Sequence, residues 1–109
     1  MTKRFEVLLL GNAEKDIDEI YRYVRRHDSE EKAERLSQSI EEVILSLQTS
    51  PLRGHYPPEL ERLGVFEYRE VLFKPYRIIY EAAGSSVFIH CVLDGRRELQ
   101  DILQQRLLR

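Results

Sequence analysis

At 109 residues the chain fits one domain with one buried core, expected over residues 1–109. An apolar share of 42% and a charged share of 33% exclude a disordered chain, and no apolar run approaches the ~20 residues that cross a membrane. The net charge of −2 leaves no global field to draw the protein onto nucleic acid, so any anion binding must be local.

Phe5 to Leu10 is a short β-rich run punctuated by Gly11-Asn12 and reads as the first strand. Its apolar stretch is too short for a signal peptide and lacks a small-residue cleavage site, which predicts a cytoplasmic protein. From Ala13 the period becomes helical, with Ala13, Ile17, Ile20, Tyr21 and Val24 on one stripe and Asn12 as the expected N-cap. His27-Asp28-Ser29 breaks the pattern, and Asp28 with Glu31 reads as a capping box for a second helix. That helix carries Ala33, Leu36, Ile40, Val43, Ile44 and Leu47 and stops at Thr49-Ser50-Pro51. So short a connection predicts an antiparallel αα-hairpin.

Leu52 to Leu63, with Gly54, Pro57 and Pro58, reads as an ordered loop. Phe66 to Phe73 and Tyr76 to Glu81 are β-rich runs meeting at Lys74-Pro75, and Val87 to Leu93 follows the Gly84-Ser85 turn. A lone Cys91 excludes an internal disulfide, suits a reducing compartment, and falls in an apolar strand as a core residue. Asp94-Gly95 ends that strand, and Arg97 to Leu108 gives a closing helix with Leu99, Ile102, Leu103, Arg106 and Leu107 along one side. The predicted order is β-α-α-β-β-β-α, an α+β fold. Its sheet has about four mainly antiparallel strands, with the helical hairpin on one face. The opposite face is left open apart from the last helix, so chemistry or a partner is sought there.

Residues 1–50 hold eight Lys/Arg against eleven Asp/Glu, and residues 51–109 hold nine against eight. In the second half Lys74 is the only lysine, and arginine forks suit a local carboxylate or phosphate site. His27, His55 and His90 are scattered and, with Cys91, predict no metal site; no cofactor is expected.

Tyr68-Arg69-Glu70, then Pro75-Tyr76-Arg77-Ile78-Ile79-Tyr80, then Val92 to Leu99 (VLDGRREL) resemble the RelE/ParE toxin superfamily, the plasmid-stabilisation type of type II toxin–antitoxin systems. Ala13 to Ile17, Ser50 to Gly54 and Pro58-Glu59-Leu60 agree, so the resemblance covers nearly the whole chain. It implies the same β-α-α-β-β-β-α fold and a cognate antitoxin that neutralises the toxin. It implies one of two activities: RelE-like cleavage of messenger RNA on the ribosome, or ParE-like inhibition of DNA gyrase by binding. Whether the chain is an enzyme is therefore open, as is a third reading, a non-toxic protein whose surface only binds its partner. A homodimer and a toxin–antitoxin hetero-oligomer are both compatible with the sequence.

Arg77 sits in a strand among apolar neighbours, where a charge must be paired or face an open surface. By resemblance it matches the arginine with which RelE-like toxins hold the scissile phosphate; the alternative is an ion pair with Glu70 or Glu81 across the sheet. Arg96 and Arg97 follow the Asp94-Gly95 turn, where a guanidinium could stabilise a phosphorane-like charge. Arg97 matches the second catalytic arginine of RelE-like toxins, and Arg96 is read as structural. Arg69 falls opposite Tyr80 if Lys74-Pro75 is a two-residue loop, which puts Arg69 and Arg77 on opposite faces. His90 is a functional-surface candidate as a base near neutral pH. Alternation puts it on the face of Phe88 and Val92, where a hydrogen-bonded strand histidine is the competing account.

Three departures weigh against RNA cleavage, the first being a net charge of −2 where RelE-like nucleases are strongly basic. The position of the RelE-type tyrosine in the last helix is Leu103, and the lysines of the second strand are replaced by Arg69 and Val71. Without a base for the 2′-hydroxyl, cleavage loses about 10²–10⁴ in rate. The sequence therefore favours inhibition by binding.

Overall fold

Glu6–Leu9, Arg69–Phe73, Tyr76–Ala83 and Ser86–Asp94 form four strands, β1 to β4. A computed structural model, which describes residues 3–108, arranges them as one sheet in the order β1-β4-β3-β2. Residues 1, 2 and 109 of the expected domain lie outside the described residues. β2, β3 and β4 form an antiparallel meander, while β1 lies parallel to β4 with Glu6 opposite Ser86. The two-residue turn at Lys74-Pro75 sets the register expected from sequence, with Phe73 opposite Tyr76 and Arg69 opposite Tyr80.

Helices α1 (Gly11–His27) and α2 (Glu30–Leu45) form the αα-hairpin on one face. Their apolar stripes bury Ala13, Ile40 and Ile44 with Ile78, Tyr80, Val87 and Ile89 of the sheet. The helix ends differ from the sequence reading. α1 starts at Gly11 with no side-chain cap, so Asn12 is not the N-cap. Ser29 caps α2, its hydroxyl accepting the Lys32 N–H at 3.1 Å, while Asp28 pairs with the Lys32 ammonium at 3.2 Å.

The opposite face is not open. Within the expected loop, Pro58–Glu61 forms a one-turn helix, α3, with proline at its start. α3 and the closing helix α4 (Gln100–Leu107) cover this face, burying Leu60, Leu99 and Leu103 against Tyr68, Ile79 and Cys91. α4 starts later than Arg97 because the Asp94 turn holds the preceding residues: its carboxylate accepts the Arg96 N–H and its carbonyl the Arg97 N–H. Burial pushes the Cys91 thiol up to about 11, so it is an inert core group.

A bulge shifts the phase of β4. Ile79 pairs with Cys91 but Tyr80 pairs with Ile89, which leaves His90 as the extra residue. Ile89 and Val92 therefore both face the helical hairpin, and Cys91 faces α4. His90 packs edge-on against Tyr68 on the α4 side, so it does not share a face with Val92 as alternation predicts.

β1 is too short to pair all of β4; its last link is the Leu10 N–H to the Ile89 carbonyl. Beyond that point Asp16 of α1 accepts the Val92 N–H at 2.9 Å, and Arg106 of α4 donates to the His90 carbonyl at 3.2 Å. Arg106 also forks onto Asp16 at 3.1 and 3.0 Å. Two side chains thus satisfy the strand edge that β1 leaves unpaired, and they tie α1, β4 and α4 together. Asp16→Ala orphans the Val92 N–H and strips the Arg106 guanidinium of its carboxylate, leaving it only the His90 carbonyl. It is expected to cost about 2–4 kcal/mol in urea unfolding. Arg22→Ala breaks only the exposed pair with Asp18 and is expected to cost about 0.5 kcal/mol or less.

Candidate functional site

Arg77 lies one pair in from the turn of the β2–β3 hairpin, opposite Leu72 and diagonal to Glu70. Its Nε donates to Glu70 at 2.6 Å, and its two terminal nitrogens fork onto both oxygens of Glu59 at 2.7 and 2.6 Å. All three side chains are largely buried, with Arg77 13%, Glu59 11% and Glu70 3% exposed. Glu59 is delivered by α3, and Glu70 by the strand. The Arg77 guanidinium holds the Glu59 carboxyl below its usual range, and pairing with the two carboxylates raises the pKa of Arg77 itself.

Of the two partners considered for Arg77, Glu70 is the one that reaches it. Glu81 instead lies 3.3 Å from His90. His55 holds the second Glu70 oxygen at 2.7 Å, and its backbone exchanges two hydrogen bonds with Glu70, at 3.1 and 2.7 Å. This bridge fastens the loop to the outer edge of β2. Gly54 beside it has no room for a side chain: a Cβ would stand 2.5 Å from the Glu70 carbonyl oxygen and 2.7 Å from the Tyr80 hydroxyl. Gly95 does the same on the other side of Arg77, where a Cβ would meet Arg77 Cδ and the Pro75 carbonyl oxygen at 2.9 Å each.

The remaining sequence-selected residues are spread over the molecule. Arg69 lies on the face opposite Arg77, as the register requires. It donates to the Gly54 carbonyl at 2.9 Å and lies 4.8 Å over the Tyr56 ring, so it fastens the loop from the other side. Arg96 chelates Asp94, and that guanidinium lowers the Asp94 pKa. Arg97 is exposed and, among the described residues, makes no side-chain hydrogen bond or ion pair. Arg77 and Arg96 line one depression of about 420 Å³, while Arg96 and Arg97 line a neighbouring one of about 390 Å³. Arg77 and Arg97 therefore line different depressions. Leu103 is fully buried. No cluster of three or more His, Cys, Asp or Glu side chains is placed to hold a metal among the described residues.

Sequence reasoning did not assign roles to Glu59, His55, Asp16 or Arg106. For Arg106 a signal existed: a charge within the apolar side of the last helix requires a buried partner. Glu59 had a weaker one, as a carboxylate in the first turn after two prolines.

A four-stranded sheet with a parallel edge strand, an αα-hairpin on one face and an arginine-bearing meander under a short C-terminal helix is the RelE/ParE toxin fold. The family model described as "ParE toxin of type II toxin-antitoxin system, parDE" matches residues 7–99. The chain belongs to this family of ParE toxins. A solved structure, the chromosomal ParDE TA system from P. aeruginosa, is similar with a TM-score of 0.73 and 20% sequence identity. That match covers 84% of this chain and 97% of that one. No curated protein matches the sequence.

Two outcomes follow from the buried triad. Arg77→Ala strands two buried carboxylates and is expected to cost about 3–5 kcal/mol in urea unfolding, whereas Arg97→Ala stays within about 0.5 kcal/mol of wild type. Because the Glu59 pKa is lowered on folding, its stabilisation is fully present above the ordinary carboxyl value of 4.5 and is lost as pH falls through the lowered value. Denaturant unfolding at a series of pH values should show this acid-side loss, and Glu59→Gln should flatten it.

Proposed function

We propose that this chain is a toxin that inhibits by binding a protein target, DNA gyrase, and that a cognate antitoxin neutralises it. The observation that carries this reading is the state of Arg77. Its three side-chain nitrogens are each bonded to a carboxylate oxygen, and the two carboxylates outweigh its single charge. A guanidinium held in this way has no fork left for a scissile phosphate. Leu103 in the core and the net charge of −2 support the same reading, since they offer neither a base nor an RNA-docking field. The antitoxin is supported by the family and by the similar ParDE structure, which is itself a toxin–antitoxin system.

The test is to add the purified chain to gyrase and follow supercoiling of relaxed plasmid, while RNA 5′ ends are mapped in cells induced for the chain alone. Loss of supercoiling with unchanged RNA ends is expected. Codon-phased RNA cuts, with supercoiling intact, would move Arg77 and Arg97 back to a catalytic role.

A further inference from the structure

The two edges of the sheet are finished differently. The outer edge of β2 is closed by the loop, whose His55 exchanges two backbone hydrogen bonds with Glu70. β1 is closed only at its start, where the Phe5 N–H donates at 2.8 Å to the Gln48 carbonyl, in the short helical turn Ser46–Gln48 that follows α2. The Glu6 and Leu10 N–H groups point the other way, to the Ser85 and Ile89 carbonyls. Alternation therefore turns the N–H and C=O groups of Val7 and Leu9 outward, and among the described residues they have no hydrogen-bond partner.

Edge strands are ordinarily protected by a charge, a proline, a bulge or a covering element. Val7-Leu8-Leu9 carries no charge, no proline and no bulge. It adds apolar surface instead. Leu8 and Leu9 are 36% and 37% exposed, and Leu45, at the end of α2, is 53% exposed. Val7, Leu9, Ile17, Ile44 and Leu45 line a cavity of about 200 Å³ beside this edge, with Glu41 the one charged group in its lining.

We propose that this edge pairs with the same edge of a second copy, antiparallel about a two-fold axis, so that two four-stranded sheets become one. A second copy is selected because the edge is complementary to itself. With Val7 opposite the second copy's Leu9, and Leu9 opposite its Val7, each outward N–H of these residues meets a C=O of the other copy. The two Leu8 side chains then meet on the axis, on the face that α4 covers further along. The charges agree. Lys3, Phe5 and Val7 share the hairpin face of β1 by alternation, and the Lys3 ammonium stands 5.2 Å from the Phe5 ring centre. The antiparallel register carries this row of the second copy toward the Leu9 end of the cavity. Glu41 lies at that end, one turn before Leu45 and so further from the Ser46–Gln48 turn that meets Phe5. A cation of each copy thus approaches a carboxylate of the other. Nothing in this pairing depends on the toxin's target.

The experiment follows the purified chain, without its antitoxin, by sedimentation over a dilution series, with hydrogen exchange at the Val7 and Leu9 amides recorded at each end of the series. A concentration-dependent dimer is expected, in which both amides become protected. Leu9→Lys and Leu45→Lys, both at exposed positions, should each weaken it about tenfold or more, with an unchanged melting temperature. Lys3→Glu and Glu41→Lys should each weaken it roughly threefold, and the two together should restore it. A monomer at every concentration overturns the proposal, as does a dimer that both lysine substitutions leave intact. Failure of the charge exchange to restore affinity overturns the register. Amides that become protected only when the antitoxin is added give the edge to that partner and overturn the second copy.

Discussion

One buried guanidinium organises much of this small domain. Arg77 is largely buried near the turn of a hairpin, where a lone charge is costly, and each of its three nitrogens finds a carboxylate oxygen within 2.7 Å. That requirement fixes more than a single pair. It needs Glu70 on the neighbouring strand, which the register supplies. It needs Glu59 from outside the sheet, which calls for a turn of helix in the middle of a loop. It needs glycine at Gly95, since any side chain there would collide with the arginine stem. Glu70 in turn holds His55, and with it the return of the loop. These charges tie down the segment between the helical hairpin and the meander, together with the buried Leu60 and the Arg69 bond to the Gly54 carbonyl. Removing one partner of such a buried pair is costly because it leaves the other charge uncompensated.

The same arrangement bears on what the surface can do. The arginine that sequence reasoning favoured for anion binding is occupied by its own chain, and further out Lys74 and Arg97 make no ion pair among the described residues. The second face of the sheet, expected to be open, is filled by Leu60, Leu99 and Leu103. Exposed apolar side chains are spread over the rest of the surface, Leu72 and Tyr23 among them with Leu45, Leu52 and Phe66. Recognition of another protein needs only a shaped and partly apolar rim.

The strands, the hairpin of helices and the register at Lys74-Pro75 were legible in the sequence, because each rests on a local period or a local turn. The opposition of Arg69 and Arg77 followed from that register alone. What was not legible depends on contacts distant in sequence. Asp16 meets Arg106 only because α1 and α4 both cross the uncovered end of β4. Glu59 meets Arg77 only because α3 folds back over the sheet. The bulge at His90 broke the alternation that would have placed it beside Val92, and no residue type in Ile89-His90-Cys91 announces a bulge. Nor could the cap of α2 be chosen from sequence between adjacent Asp28 and Ser29, both good capping residues.

The parallel edge strand has a bearing on how the chain acquires its shape. β1 has no hydrogen-bonded neighbour in the sheet until β4 exists, because Glu6 waits for Ser86 and Leu9 for Ile89. Arg106 likewise has nothing to grip until Asp16 and β4 are already in position. At bacterial elongation speeds of about 5–20 residues per second, the early strand stays unpaired for several seconds of synthesis. During that interval the αα-hairpin can form but has no finished sheet to pack on.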